Sequence, residues 1–402
     1  MGGLLAATML ARRARRVVVL EREPTPGGRL RSFEVGEFVV DAGAYLWPNA
    51  WIDEAFERAD VRGFRGSPVP ANEVMRLFVE GHGGTPFAFP WPARPPSSRV
   101  LEATRAALGV DPASYEELTR LWTALAAAND EQIAAWKHVP ARDALGRLGV
   151  STVVRDAFLR NVMCFGTASP GAASMAECAG LLRRDLAGRA ARPECAGPNP
   201  DGGVRAMVRA MVAAAKRAGV EIRCEETALR VVTDAGRTRG VVARRRSEGP
   251  REVRASVVVC NLPAARIFDV VPEHWFAPDF VRDTRSWTAI GGVVASAFAF
   301  DGLPILRATG EPDRFRGWTR LLTGPESGFG GGCLWSSHHS PHNAPAGKHV
   351  LQAMRLTSHE EIDRPERVEE IQAGFERMVA EIYRDADDKL LWKRSWVTRD
   401  GT

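Results

Sequence analysis

A glutamate closing a short apolar run, with a diglycine and an arginine six residues on, is the arrangement in this chain that could do chemistry. The residues are Val17 to Leu20, then Glu21-Arg22, then Gly27-Gly28-Arg29. Such a run suits a strand buried on both faces of a parallel sheet. A carboxylate at its carboxyl end can accept hydrogen bonds from a ribose diol, although the same acid would also serve as an ordinary strand-end charge. A diglycine corner lets backbone approach a phosphate closely, and the neighbouring guanidinium can pair with it. Together these groups read as one half of a dinucleotide site. Asp41 and Gly43 follow a short hairpin, Phe33 to Val40, and are either further contacts or hairpin turn residues.

Elements on either side must hold these groups in place. Gly2 and Gly3 precede a helix predicted over Leu4 to Arg13, whose Ala-rich composition favours helix. Gly3 stands 18 residues before Glu21, close to the spacing of roughly 20 expected of a dinucleotide-binding βαβ unit. A second block restarts at Pro200-Asp201-Gly202-Gly203. Its helix, Val204 to Ala218, carries Met207, Val208, Met211, Val212 and Ala215 on one face and stops at Gly219. Strands are expected at Val220–Arg223, Leu229–Thr233, Arg239–Arg246 and Glu252–Cys260. Between the blocks, Thr85 to Pro96 is apolar and broken by prolines, and helices are expected near 98–109, 113–129, 140–147 and 151–162. Beyond 270 the strands look antiparallel, at Trp287–Phe300, Gly332–Ser337, His349–Thr357 and Leu391–Thr398, with a helix from Arg364 to Arg384.

Glu21, Arg22, Gly27-Gly28-Arg29 and Asp41-Ala42-Gly43 resemble the FAD segment of the phytoene-desaturase-like flavoproteins, relatives of the flavin amine oxidases. The resemblance implies an α/β fold: a Rossmann-like FAD-binding domain over 1–70 and 200–269, and an inserted α+β substrate domain of antiparallel sheet and helices over 71–199 and 270–402. It implies FAD as cofactor, backbone near Leu229 meeting the adenine, and the loop from Asn261 to Pro263 approaching the flavin. Phe165 to Pro170 and Ser340 to His349 also resemble the family's pattern. In the family, a full Gly-x-Gly-x-x-Gly fingerprint follows a first strand, and an acidic residue near a Gly-rich helix start closes the site. Here Gly2 and Gly3 stand as the fingerprint's tail. The chain is therefore expected to be cut at both ends, and on its own to be unstable or unable to hold flavin.

The resemblance implies hydride transfer between an apolar, polyene or isoprenoid-like substrate and flavin, as in a desaturase. An amine oxidase of the same superfamily is the alternative enzyme, with Lys348 and Lys393 as candidates for a flavin-side lysine. An inactive fragment is the third reading. No histidine or carboxylate of the middle block is singled out by spacing as proton acceptor, so the catalytic residue stays open.

Composition bounds the partners. The 45% apolar and 26% charged content is that of a globular protein. The net charge of +5 comes mostly from arginines scattered among acids, with Arg244-Arg245-Arg246 the longest basic cluster, so solvated edge charge is expected rather than nucleic-acid binding. No protein partner is indicated. The aromatic residues of 85–91 and His274-Trp275-Phe276 suit core packing, an apolar tunnel, or peripheral contact with a membrane. Six cysteines without a C-x-x-C spacing fit a reducing cytoplasm, with Cys224 and Cys260 expected as small core residues. His338, His339 and His342 are expected on an exposed polar loop, with no metal site.

Overall fold

The computed structural model describes residues 1–42, 50–63, 66–67, 75–79, 87–88, 105, 109–162, 173–180, 182–183, 199–200, 202–286, 292–322 and 329–399. The expected helix near 98–109, most of the proline-rich stretch, the Phe165 to Pro170 loop and Gly43 lie outside those residues.

Helix α1 (Gly2–Ala11) leads into strand β1 (Val18–Leu20) and the hairpin β2 (Ser32–Val35) and β3 (Phe38–Asp41). Helix α2 (Ala50–Arg58) and strands β4 (Gly66–Ser67), β5 (Met75–Val79) and β6 (Phe87–Ala88) follow. Four helices come next: α3 (Pro112–Ala126), α4 (Asp130–Ala135), α5 (Ala141–Arg147) and α6 (Thr152–Val162). Their starts are written locally. Asp111 accepts from the Ser114 N–H at 2.9 Å with Pro112 at the first helical position, and Asn129 forms a reciprocal capping box with Gln132. Leu118, Leu125, Leu145, Val154, Phe158 and Met175 give this helical group a core of its own.

Strand β7 (Asn199–Pro200) precedes helix α7 (Gly203–Arg217), which buries Val204, Met207, Met211, Ala214 and Ala215, the stripe a 3.6-residue period demands. Lys216 and Arg217 sit in its last turn, and Gly219 takes the left-handed φ of +82° that ends it. Strand β8 (Glu221–Arg223) then pairs in parallel with β1, and β9 (Glu226–Asp234), β10 (Arg237–Arg245) and β11 (Pro250–Arg254) form an antiparallel sheet. Leu4, Leu5, Leu30, Phe56, Val204 and Met207 fill the space among α1, α2 and α7.

The remaining chain builds the largest sheet. Helix α8 (Pro278–Ser286) precedes β12 (Gly292–Asp301), β13 (Trp318–Leu322) and β14 (Phe329–Trp335). After α9 (Ser336–His339) come β15 (Lys348–Thr357), α10 (His359–Ile362), α11 (Pro365–Ile382), α12 (Ala386–Lys389) and β16 (Leu390–Arg399). Strand order is β16-β12-β15-β14-β13-β5-β6, so β5 joins from far upstream, parallel to β13. One face packs on α11: Val294, Phe298, Leu351, Ala353 and Trp335 meet Ile371, Phe375, Met378 and Ile382.

Three expectations change. The strand expected over Glu252–Cys260 stops at Arg254, and Val257 and Val259 are 72% and 58% exposed. An apolar run forms a strand only when a neighbour takes its backbone hydrogen bonds, and no described strand lies beside this one. For the same reason Cys260 is exposed and Cys224 half-buried, rather than core residues. Two of the three loop histidines are instead built into the interior: His339 is buried and the His338 ring stacks on Trp335 at 5.6 Å, while His342 is exposed as expected. Burial pushes the imidazoles of both His338 and His339 down to about 4, which keeps them neutral. Among the described residues no group of His, Cys, Asp or Glu could hold a metal ion.

Candidate functional site

The carboxyl end of β1, the start of α1 and the loop after β11 meet. Glu21 follows β1; its N–H donates to the Arg223 carbonyl at 2.9 Å, and its Oε1 accepts from the Glu23 N–H at 3.0 Å. Its carboxylate acts on the Met1 amino group, which places it beside the first turn of α1. That turn has no side-chain cap hydrogen bond and no acid of its own, so its amide donors and positive dipole end are left to Glu21 or to a ligand anion. A Cβ on Gly2 would stand 2.8 Å from Asn261 Oδ1, and one on Gly3 3.6 Å from the Asn261 side chain. Gly2, Gly3 and Asn261, far apart in the chain, are thus packed together.

The Gly27-Gly28-Arg29 corner is fixed from the other side. Gly27 (φ +147°) presses on Val208 of α7, and Leu30 is buried in the core shared by α1 and α7. Gly28 (φ +60°) faces open space, where a Cβ would touch nothing. Arg29 is exposed beside it. Backbone that only glycine adopts without strain is here bared to a ligand.

Arg22 lies on the outer side, where the Glu21 loop faces β9 and β10 across an open cleft of about 420 Å³, lined also by Glu225, Thr227, Arg244 and Arg246. Leu229 is not opposed by a partner: the register slips between Val242 and Ala243, which makes it the extra residue of a β-bulge. The Glu226 N–H donates to the Glu21 carbonyl at 2.9 Å, off the open edge of β9. Alternation puts the backbone groups of Ala228, rather than Leu229, on that same edge. A one-residue bulge leaves no trace in composition, so the sequence does not announce it.

Asp41 has a different set of partners from the rest. Its Oδ1 accepts from Ser32 Oγ at 2.6 Å and its Oδ2 lies 3.4 Å from the Val204 N–H at the head of α7. A Cβ on Gly203 would sit 2.8 Å from that Oδ2, and the Asp41 carbonyl accepts from Gln352 Nε2 at 2.6 Å. Burial pushes this carboxyl up to about 6, against the Ser32 and Val204 donors. Its side chain joins the hairpin to α7, and its backbone joins both to β15. Gln352 Oε1 and Asn343 Nδ2 nearby are buried without a hydrogen-bond partner among the described residues.

Sequence reading did not find a second buried cluster. Arg76 donates to both oxygens of Asp313, and the Trp335 indole (2.9 Å) and Tyr383 hydroxyl (2.6 Å) donate to Asp313 Oδ2. Burial works to raise the Asp313 carboxyl, but Arg76 and these donors outweigh it and hold it below the usual range. The cluster lies on the α11 side of the sheet, and its residues, scattered from 76 to 383, carry no common spacing.

The family model described as flavin containing amine oxidoreductase matches residues 1–400. The chain belongs to that family. No curated protein matches it. Among solved structures it is similar to an oxidoreductase from Methanosarcina mazei, at 16% identity and TM-score 0.70 over 99% of this chain and 86% of that one. It is similar to putrescine oxidase bound to putrescine (14%, TM-score 0.69, 98% and 81% covered) and to cyclohexylamine oxidase from Brevibacterium oxydans (15%, TM-score 0.65, 98% and 82% covered). The fold is the α/β fold of the FAD-binding amine oxidases, and the cofactor of this flavin-containing amine oxidoreductase is FAD. The residues present fit it: a first turn of α1 without a side-chain cap, a glycine corner open to solvent, an acid at the carboxyl end of β1 and an open cleft. No described helix is long and apolar enough to cross a membrane.

Proposed function

We propose that this flavoprotein is a dehydrogenase of the desaturase type, acting on an apolar, polyene or isoprenoid-like small molecule. The observation that carries this reading is the sheet face opposite α11. Gln352 on that face reaches Asp41, so it is turned toward the cofactor-binding elements. It carries Trp318, Leu334 and Met354 as one apolar cluster, and Gly332 leaves room for the Trp318 indole, which a Cβ would meet at 2.0 Å. The one described carboxylate near it, Asp41, is engaged with Ser32 and α7. A substrate amine, charged at neutral pH, would leave water for a surface whose described residues offer it no free counter-charge.

FAD supplies the hydride acceptor when bound. Glu21 would hold the ribose, the α1 amides and the Gly27-Gly28-Arg29 corner the diphosphate, and Asn261 the flavin side, while the apolar face orients the substrate and excludes water. We extend this to a division of the chain in which 1–70 with 200–269 bind cofactor and 71–199 with 270–402 bind substrate.

Amine oxidation is the second reading, favoured by the likeness to the structures of putrescine oxidase and cyclohexylamine oxidase. Lys393 does not serve it, because it pairs with Glu376 of α11 at 2.7 Å on the far side of the sheet. Lys348 opens β15, half-buried. Anaerobic mixing of the FAD-loaded protein with a polyene or with a diamine decides between the two. Bleaching of the flavin absorbance by the polyene alone is expected; bleaching by the amine alone would overturn the proposal.

A further inference from the structure

Strand β16 is the outermost strand of the largest sheet. It pairs with β12 on one side, and no described residue takes the backbone hydrogen bonds of its other side. An open edge of this kind is a template for another strand, and native edges are commonly guarded by charge. Here most of the guarding charge is neutralised within the chain. Lys393 pairs with Glu376 at 2.7 Å, Lys389 with Asp385 at 2.8 Å, and Arg399 with Asp363. Arg394 has no acid partner among the described residues, and its guanidinium lies 5.1 Å over the Phe33 ring.

The side chains along this edge complement their own copy. The break in the ladder with β12 falls between Ala299 and Phe300, which makes Leu391 the extra residue, and Trp392 to Val397 run in regular register. Two antiparallel copies of a strand set like-facing residues opposite each other, so a two-fold axis falls at one residue of the strand. With the axis at Arg394, Leu391 meets Val397 of the second copy, Trp392 meets Trp396, and Lys393 meets Ser395. Leu391 and Val397 are the exposed large apolar residues of the strand, at 43% and 38%. Trp392 and Trp396 are already fixed edge-on against Phe38 and Phe33, at 5.3 and 5.2 Å. Moving the axis to Lys393 sets Leu391 against Ser395 and Val397 against Lys389. Moving it to Ser395 sets Leu391 against Arg399 and Val397 against Lys393.

We propose that two copies of this chain associate through β16, joining their seven-stranded sheets edge to edge about a two-fold axis at Arg394. Main-chain hydrogen bonds supply the affinity, and the Leu391–Val397 and Trp392–Trp396 contacts fix the register. Arg394 faces its own copy, so like charge opposes the pairing and salt, by screening it, favours the dimer. The surface is independent of the cofactor and substrate readings above.

The test is sedimentation equilibrium of the full chain in low and high salt. Wild type should dimerise, more tightly in high salt. Arg394→Gln should tighten the dimer about threefold and reduce its salt dependence. Val397→Glu, at an exposed position, should weaken it about tenfold, and adding Leu391→Lys to the same chain should restore it. A mixture of Lys393→Cys and Ser395→Cys chains should crosslink under mild oxidation well beyond either variant alone, because only opposed positions bring the Cα atoms within reach of a disulfide. Dimers that ignore Val397→Glu and give no crosslink between positions 393 and 395 form through another face, which overturns the proposal. A wild type that stays monomeric at every concentration and salt overturns it as well.

Discussion

Asp41 sits where a negative charge is costly: buried, with one hydroxyl and one backbone amide as its donors and the positive end of α7 only partly compensating. Its carboxyl, raised to about 6, holds a proton in the folded chain at pH values where the unfolded chain has lost it. Stability from this group is therefore present at pH 4 and lost as pH rises through 6. The shift corresponds to about 3 kcal/mol, as an order of magnitude. Urea unfolding of wild type should weaken between pH 4 and pH 6.5, and Asp41→Asn, neutral throughout, should flatten that window. The residue type and its neighbourhood to Gly43 were legible as sequence and pointed toward the cofactor. What could not be read was that Ser32, nine residues back, and Val204, in another block, would converge on the same carboxylate. Contacts across 163 residues leave no local signature. The place of Glu21 at the end of a strand, by contrast, was legible because it depends on one short apolar run.

At the scale of elements, the sheet is tied to its covering helix by polar as well as apolar contacts. Arg76 of β5, Trp335 of β14 and Tyr383 just beyond α11 all meet on Asp313. Removing one member of a buried pair strands the other charge, so Asp313→Asn or Arg76→Met should each cost about 3–5 kcal/mol. The double variant Arg76→Met with Asp313→Leu should cost less than the sum of the single changes, read from urea midpoints at constant slope. Elements with a strong period were plain in the sequence: α7 with its apolar stripe, α11, and strands β12, β15 and β16 fall within a few residues of expectation. Elements defined by their neighbours were not. Strand β13 was missed, because its five residues show no apolar–polar alternation and become a strand by lying between β5 and β14. The run from Val257 to Cys260 failed in the opposite direction, with strand-like residues but no described strand to pair with.

Over the whole molecule, both the core shared by α1 and α7 and the largest sheet are discontinuous in the chain. Helix α1 packs against α7, nearly 200 residues later, and strand β5 lies beside β13. The family and the α/β class were readable because the dinucleotide unit is compact in sequence, whereas the substrate-side architecture had to come from long-range pairing. The place of β5 has a consequence for how the protein is made. When residues 75 to 79 leave the ribosome, neither the strand they will lie against nor the acid that will neutralise Arg76 has been synthesised. This segment must wait, extended and charged, for some 240 further residues. The carboxyl-terminal stretch 287–402, produced alone, would face the mirror problem, with an anion sealed in its interior and no cation to meet it. It should give no cooperative unfolding transition by itself, and should gain one when residues 1–286 are co-expressed as a separate chain.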